Sequence, residues 1–174
     1  MGAIGEMIVH AAGVAARYQK RLVTGVPENL FARFAAPGGV VVSSNHPAFI
    51  LGHLSLYPAK AIEYLGGTPL RSKPSDRFDS VFSKDHQCLD DVEGTFYPSM
   101  NEVLDFYDQA YEEAFEAIRA CEDSALMIEN PNDGPIKKVC PTLASMLAFY
   151  MDGHVMMHLG QFSAWRRMQG LPPC

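Results

Sequence analysis

His154 and His158 stand four residues apart in a stretch of helical character, so their imidazoles share one face, a turn from each other. Two imidazoles at that spacing can bind one metal ion. They occupy a stripe of Leu143, Leu147, Tyr150, His154, His158, Gln161 and Trp165, apolar at its ends and polar in its middle. Burying two histidines and a glutamine at core positions requires partners for their polar atoms. A metal supplies such partners; a pair of hydrogen-bonded core histidines is the alternative. Two histidines rarely make a catalytic site, and His53 is the natural third ligand. Phe49, Ile50, His53, Leu56 and Tyr57 again embed an imidazole in an apolar stripe, and sites in helix bundles are built from facing helices. His46, two turns earlier, is too far along the axis to share the ion and reads as a first-turn or surface residue. His10 and His86 belong to no constellation.

Three neutral imidazoles leave a divalent ion its full charge and at least one open position. Water bound there would have a pKa near neutrality, and a thiol would be deprotonated outright. Imidazole ligands suit zinc, nickel and iron, with zinc or nickel placed ahead of iron. Gln161, one turn beyond His158, could orient an imidazole or bond a metal-bound ligand. Tyr150 and Tyr57, one turn from His154 and His53, could donate a proton or line the pocket. Met151, Met156 and Met157 read as deformable core filling. No acidic residue falls on the inner stripe, so no general base is named.

Four helical segments must position these residues. The first spans about Ile4 to Leu22, with Ile4, Ile8, Ala11, Ala15, Tyr18 and Leu22 inward. A breaker-rich connection follows, and Val40 to Val42 within it reads as extended loop packed on the bundle. The second helix starts near Asn45 as N-cap, continues to about Leu65 with a kink or irregular turn at Pro58, and stops at Gly66-Gly67. Ser99 and Glu102 form a capping box for the third, whose inward stripe is Val103, Phe106, Ala110, Ala114, Ala117 and Ile118. The fourth runs from about Thr142 to Gln169, with Gly170 as its stop. Residues 66–98 form a connection long enough to cross the length of a bundle, with a short helix over Asp76 to Lys84 that buries Phe78, Val81 and Phe82. A mobile lid is the other reading of that segment. The expected fold is thus all-α, a single domain over 1–174.

Composition narrows the partners. The chain has 174 residues and a formal net charge of −6, which disfavours a nucleic-acid binder. Its longest apolar run, Leu143 to Met151, falls far short of the roughly 20 residues of a membrane helix. Cys88, Cys121, Cys140 and Cys174 form no CxxC pair, which favours a reduced, cytoplasmic setting. Lys137-Lys138 and Arg166-Arg167 read as solvated helix ends.

Residues 45–54, Asn-His-Pro-Ala-Phe-Ile-Leu-Gly-His-Leu, resemble the start of the second helix in the DinB-like superfamily of metalloenzymes. Gly153-His154, His158-Leu159-Gly160-Gln161, Arg166-Arg167 and Gly170-Leu171-Pro172-Pro173 are similar to that family's last helix and its exit. The resemblance implies a four-helix bundle of up-down-down-up order with a long crossover between helices 2 and 3. It also implies a metal held by His53, His154 and His158, and a homodimer. Its characterised relatives include bacillithiol transferases and mycothiol-dependent maleylpyruvate isomerases, which implies a low-molecular-weight thiol cosubstrate. The expected function is a metal-dependent, thiol-dependent S-transferase acting on a small-molecule substrate. The alternatives are a metal-dependent hydrolase and a non-catalytic metal-binding bundle serving dimerisation or ligand binding.

Overall fold

The computed structural model describes residues 2–174. Nine α-helices appear among them, with no named strand and two isolated bridges, Ala35 with Val42 and Glu129 with Thr142. Helix α1 is Ala3–Val23, and α2 (Pro47–Leu54) and α3 (Tyr57–Tyr64) are the two halves of the expected second helix. Helix α4 is Asp76–Phe82 and α5 is Met100–Ala120, while α6 (Asp123–Leu126) and α7 (Ile136–Val139) are single turns. Helices α8 (Leu143–Ala148) and α9 (His154–Met168) are joined by a π-helical turn at Phe149–Gly153. Among the described residues, no helix is long and apolar enough to cross a membrane.

Local chemistry explains most of these boundaries. Ser99 and Glu102 make the reciprocal capping box at the head of α5. Ser75 caps α4, which buries Phe78, Val81 and Phe82 as its spacing predicts. Pro58 does more than kink the second helix. Its missing N–H and fixed φ place it in a first turn, so the chain breaks at Ser55–Leu56 and restarts as α3. The N-cap of α2 is His46, not Asn45: the His46 ring nitrogen Nδ1 accepts from the Phe49 amide at 3.2 Å. Asn45 turns outward instead and donates to Gln161.

The head of α1 is capped across the fold. Gly2, its N-cap residue, offers no side chain, and the Asp123 carboxylate accepts from the amides of Ala3 and Ile4 at 3.1 and 2.9 Å. A side chain at Gly2 would collide with that carboxylate, so the glycine leaves room for a cap 120 residues away. Lys20 reaches Asp108 while Glu6 reaches Arg119, so α1 and α5 run antiparallel. Helix α1 also packs on α8 and α9, and α2 packs on α4, α5 and α9. Pairings of Asn45 with Gln161, His53 with His158 and Tyr57 with Tyr150 run in opposite chain directions, so α2–α3 and the last helix are antiparallel.

Several details depart from the sequence reading. Ala11 is exposed and Ala12 takes its place in the core beside Ile8, Ala15 and Leu22. On α5 the buried line includes Tyr107 and Tyr111, whereas Phe106 and Ala117 are half-buried. Val40 and Val41 project into solvent rather than packing, although Val42 bonds back to Ala35. Met151 is core, but Met156 and Met157 are exposed. Arg166 is no solvated helix end: it is buried, with Nη1 donating to the carbonyls of Leu22 and Thr24 and Nη2 to that of Pro172. The carbonyls at the end of α1 carry the partial negative charge that a guanidinium satisfies.

The segment 66–98 is stapled to the helices along its length. Both Ser72 and the Leu70 amide bond to Glu113, and Arg71 pairs with Glu112 and Glu116. Further on, Asp90 pairs with Arg33, and Asp91 accepts from the amides of Thr95, Phe96 and Tyr97.

Candidate metal centre

His53, His154 and His158 come together where α2 faces α9. Each offers a ring nitrogen, and the three atoms all lie within 4.8 Å of one another. Nε2 of His154 and Nε2 of His158 are 3.1 Å apart. Two nitrogens bound tetrahedrally to one ion at about 2.0–2.1 Å would be separated by about 3.3 Å. The three histidines could hold a single divalent ion, and the 3.1 Å between His154 and His158 is also the length of a hydrogen bond between them. The group contains no cysteine and no carboxylate.

Two of the three rings have their tautomers set from outside. Nδ1 of His53 donates to the Phe82 carbonyl at 3.0 Å, which leaves the Nε2 lone pair for a ligand. Nδ1 of His158 donates to Gln161 Oε1 at 3.0 Å, and Asn45 Nδ2 donates to the same oxygen at 3.2 Å. Gln161 thus orients an imidazole, the first of the two roles its spacing suggests. Nδ1 of His154 is buried and finds no hydrogen-bond partner among the described residues.

Burial makes all three rings poor proton acceptors. His154 is pushed down to about 3, first by desolvation and then by His158 and His53 beside it. His53 and His158 are lowered as well, chiefly by desolvation. Neutral imidazole is the form that binds a metal, so the environment holds the rings ready to ligate.

Aromatic rings wall the centre. Phe49 stacks parallel to His53, and the Phe149 ring lies against His154 at 5.6 Å between centroids. Tyr57 touches both helices: its hydroxyl is 3.4 Å from His53 Nε2, and its ring meets His154 at 4.5 Å and Tyr150 at 5.0 Å. Burial raises the Tyr57 and Tyr150 phenols, so both keep their protons at neutral pH.

In comparisons with known proteins, no family model matches this chain and no curated protein matches it.

Some participants were invisible in the residue pattern. The Phe82 carbonyl belongs to the backbone of α4, and no side-chain motif announces it. A Cβ at Gly52 would lie 2.5 Å from the Phe82 ring, so the glycine before His53 lets α4 close on the site. The π-helical turn just before His154 was also unforeseen; it adds a residue to the helix where the ligand pair begins. His46 is not a surface residue. It is fully buried, Nε2 donating to Leu89 O at 2.9 Å, and does not join the metal group. His10 and His86 are exposed and stand apart from the group.

Proposed function

We propose that this chain is a metal-dependent enzyme of the DinB-like kind, a four-helix bundle of up-down-down-up order whose site uses a small thiol to transfer to, or isomerise, a small molecule. The observation that carries the reading is the convergence of His53, His154 and His158, three neutral imidazoles within 4.8 Å from two facing helices. The sequence resemblance in residues 45–54 and 153–173 supports it, as do the antiparallel pairings of α1 with α5 and of α2–α3 with α9.

A divalent ion held by His53, His154 and His158 would supply Lewis acidity, enough to ionise a small thiol at neutral pH. A free thiol ionises near 8.5 and water near 15.7, so the thiol requires far less perturbation. Water bound to such an ion would also ionise near neutrality, so the preference for a thiol rests on the sequence resemblance. Within the chain, the Phe82 carbonyl and the Gln161 amide fix the rings of His53 and His158. Phe49 and Phe149 restrict water beside them. Tyr57 holds a proton on its hydroxyl at the edge of the site, where it can donate to a substrate oxygen.

Elemental analysis of the purified protein tests the foundation. About one equivalent of zinc, nickel or iron per chain is expected, and a His154→Ala variant should lose it. Absence of metal from the wild-type protein would end the proposal. With metal present, a screen of small thiols should find one that binds stoichiometrically; a site that binds metal but no thiol points to the hydrolase.

A further inference from the structure

One cation stands at the edge of the centre without an anion of its own. Lys60 is exposed on α3, one turn after Tyr57, and makes no ion pair among the described residues. Its ammonium sits 5.4 Å from the centroid of the Tyr57 ring. That ring reaches the candidate ligands: its hydroxyl is 3.4 Å from His53 Nε2, and it meets the His154 ring edge-to-face at 4.5 Å between centroids. In a chain of net charge −6, an unpaired lysine beside a site built for a dication is placed against the prevailing field.

An extra positive charge there has no use for the metal, which it repels. It does have a use for a ligand that brings negative charge. We propose that Lys60 is the specificity residue for a carboxylate on the molecule that binds the metal centre, so that the substrate or thiol cosubstrate is an anionic small molecule. One end of the ligand occupies the open metal position. Its carboxylate, a short spacer away, meets the ammonium over the Tyr57 ring. The Tyr57 ring attracts the ammonium and so favours its position at the rim of the site. This assignment rests on the metal reading above and adds the charge of the ligand to it.

Two matched pairs of probes test it on the metal-loaded, full-length protein. The thiol pair is 3-mercaptopropionate and 2-mercaptoethanol. The thiol-free pair is succinic acid monohydroxamate and acetohydroxamate, in which only the first carries a carboxylate. Affinities are measured by calorimetry for wild type, Lys60→Gln and Lys60→Arg at low ionic strength. The carboxylate-bearing member of each pair should weaken about tenfold in Lys60→Gln, the neutral member should stay within about twofold, and Lys60→Arg should restore most of the difference. Equal weakening of both members, or no change in either, overturns the role of Lys60. Binding of hydroxamates with this pattern but of neither thiol leaves Lys60 standing and removes the thiol reading. Thiol binding with no charge preference does the reverse. Failure of all four probes to bind shows a closed coordination sphere and overturns both.

Discussion

The Phe82 carbonyl oxygen lies 3.0 Å from His53 Nδ1, joining the connection between α3 and α5 to a candidate ligand on α2. Phe82 is itself fully buried, and its ring lies over the backbone of Gly52. The same residue thus anchors the connection in the core and sets the tautomer of the imidazole. Residues 66–98 are part of the centre and not only the link that spans it.

Gly52→Ala should separate these contacts. The new methyl would press on the Phe82 ring at 2.5 Å, and the ring must move. We expect a loss of about 1–3 kcal/mol in stability from the overpacking. Metal affinity should fall about tenfold or more as the carbonyl leaves His53. Chemical denaturation and a metal-competition titration read the two effects; unchanged affinity in a folded variant would show that the carbonyl does not hold the ring.

Gln161→Leu removes the acceptor that serves both His158 and Asn45. Since Gln161 is exposed, the helix should persist with nearly unchanged stability. Metal affinity should drop about 10–100-fold, the usual effect of losing an outer partner of a ligating histidine. Circular dichroism alongside the titration would distinguish this from unfolding.

The pH dependence of stability should carry a signature of His46. Burial pushes this ring down to about 4 from its ordinary 6.5, outweighing the hydrogen bond to Leu89 and the nearby Asp90 and Asp91 that act the other way. Between those values the unfolded chain binds the extra proton and the folded chain does not. The stabilisation is therefore complete above pH 6.5 and lost as the pH falls toward 4. It amounts to on the order of 3 kcal/mol. His46→Asn keeps an N-cap acceptor for the Phe49 amide but cannot titrate. Metal-free wild type should lose its advantage over this variant as pH drops from 7 to 4; parallel profiles from denaturant melts would contradict the assignment.

Asp123→Ala should uncap α1 from a distance. Two amides, Ala3 and Ile4, lose the carboxylate that accepts them. A cost of about 1–2 kcal/mol is expected, which lowers Tm by about 2–8 °C for a chain of this size. Calorimetry checks it, and metal content should not change, because Asp123 is not one of the three ligands.

At several positions where a residue's role depended on its near neighbours in the chain, the sequence was enough. The Ser99–Glu102 box, the buried side of α4 and the stop at Gly170, whose φ is +72°, are interactions closed within a few residues. The HxxxH spacing of His154 and His158 is of the same kind, since helical geometry brings i and i+4 together. Tertiary structure decided whatever needed a partner far away in the chain or a group without a side-chain signature. Asp123 caps a helix that starts 120 residues earlier, and Arg166 is drawn inward by carbonyls of residues 22 and 24. Phe82 contributes a main-chain oxygen that every residue type possesses. His53 and Lys60 show the division most clearly. Their positions in the chain place each on a helix, but only the tertiary packing brings the His53 ring beside His154 and His158 and the Lys60 ammonium over the Tyr57 ring.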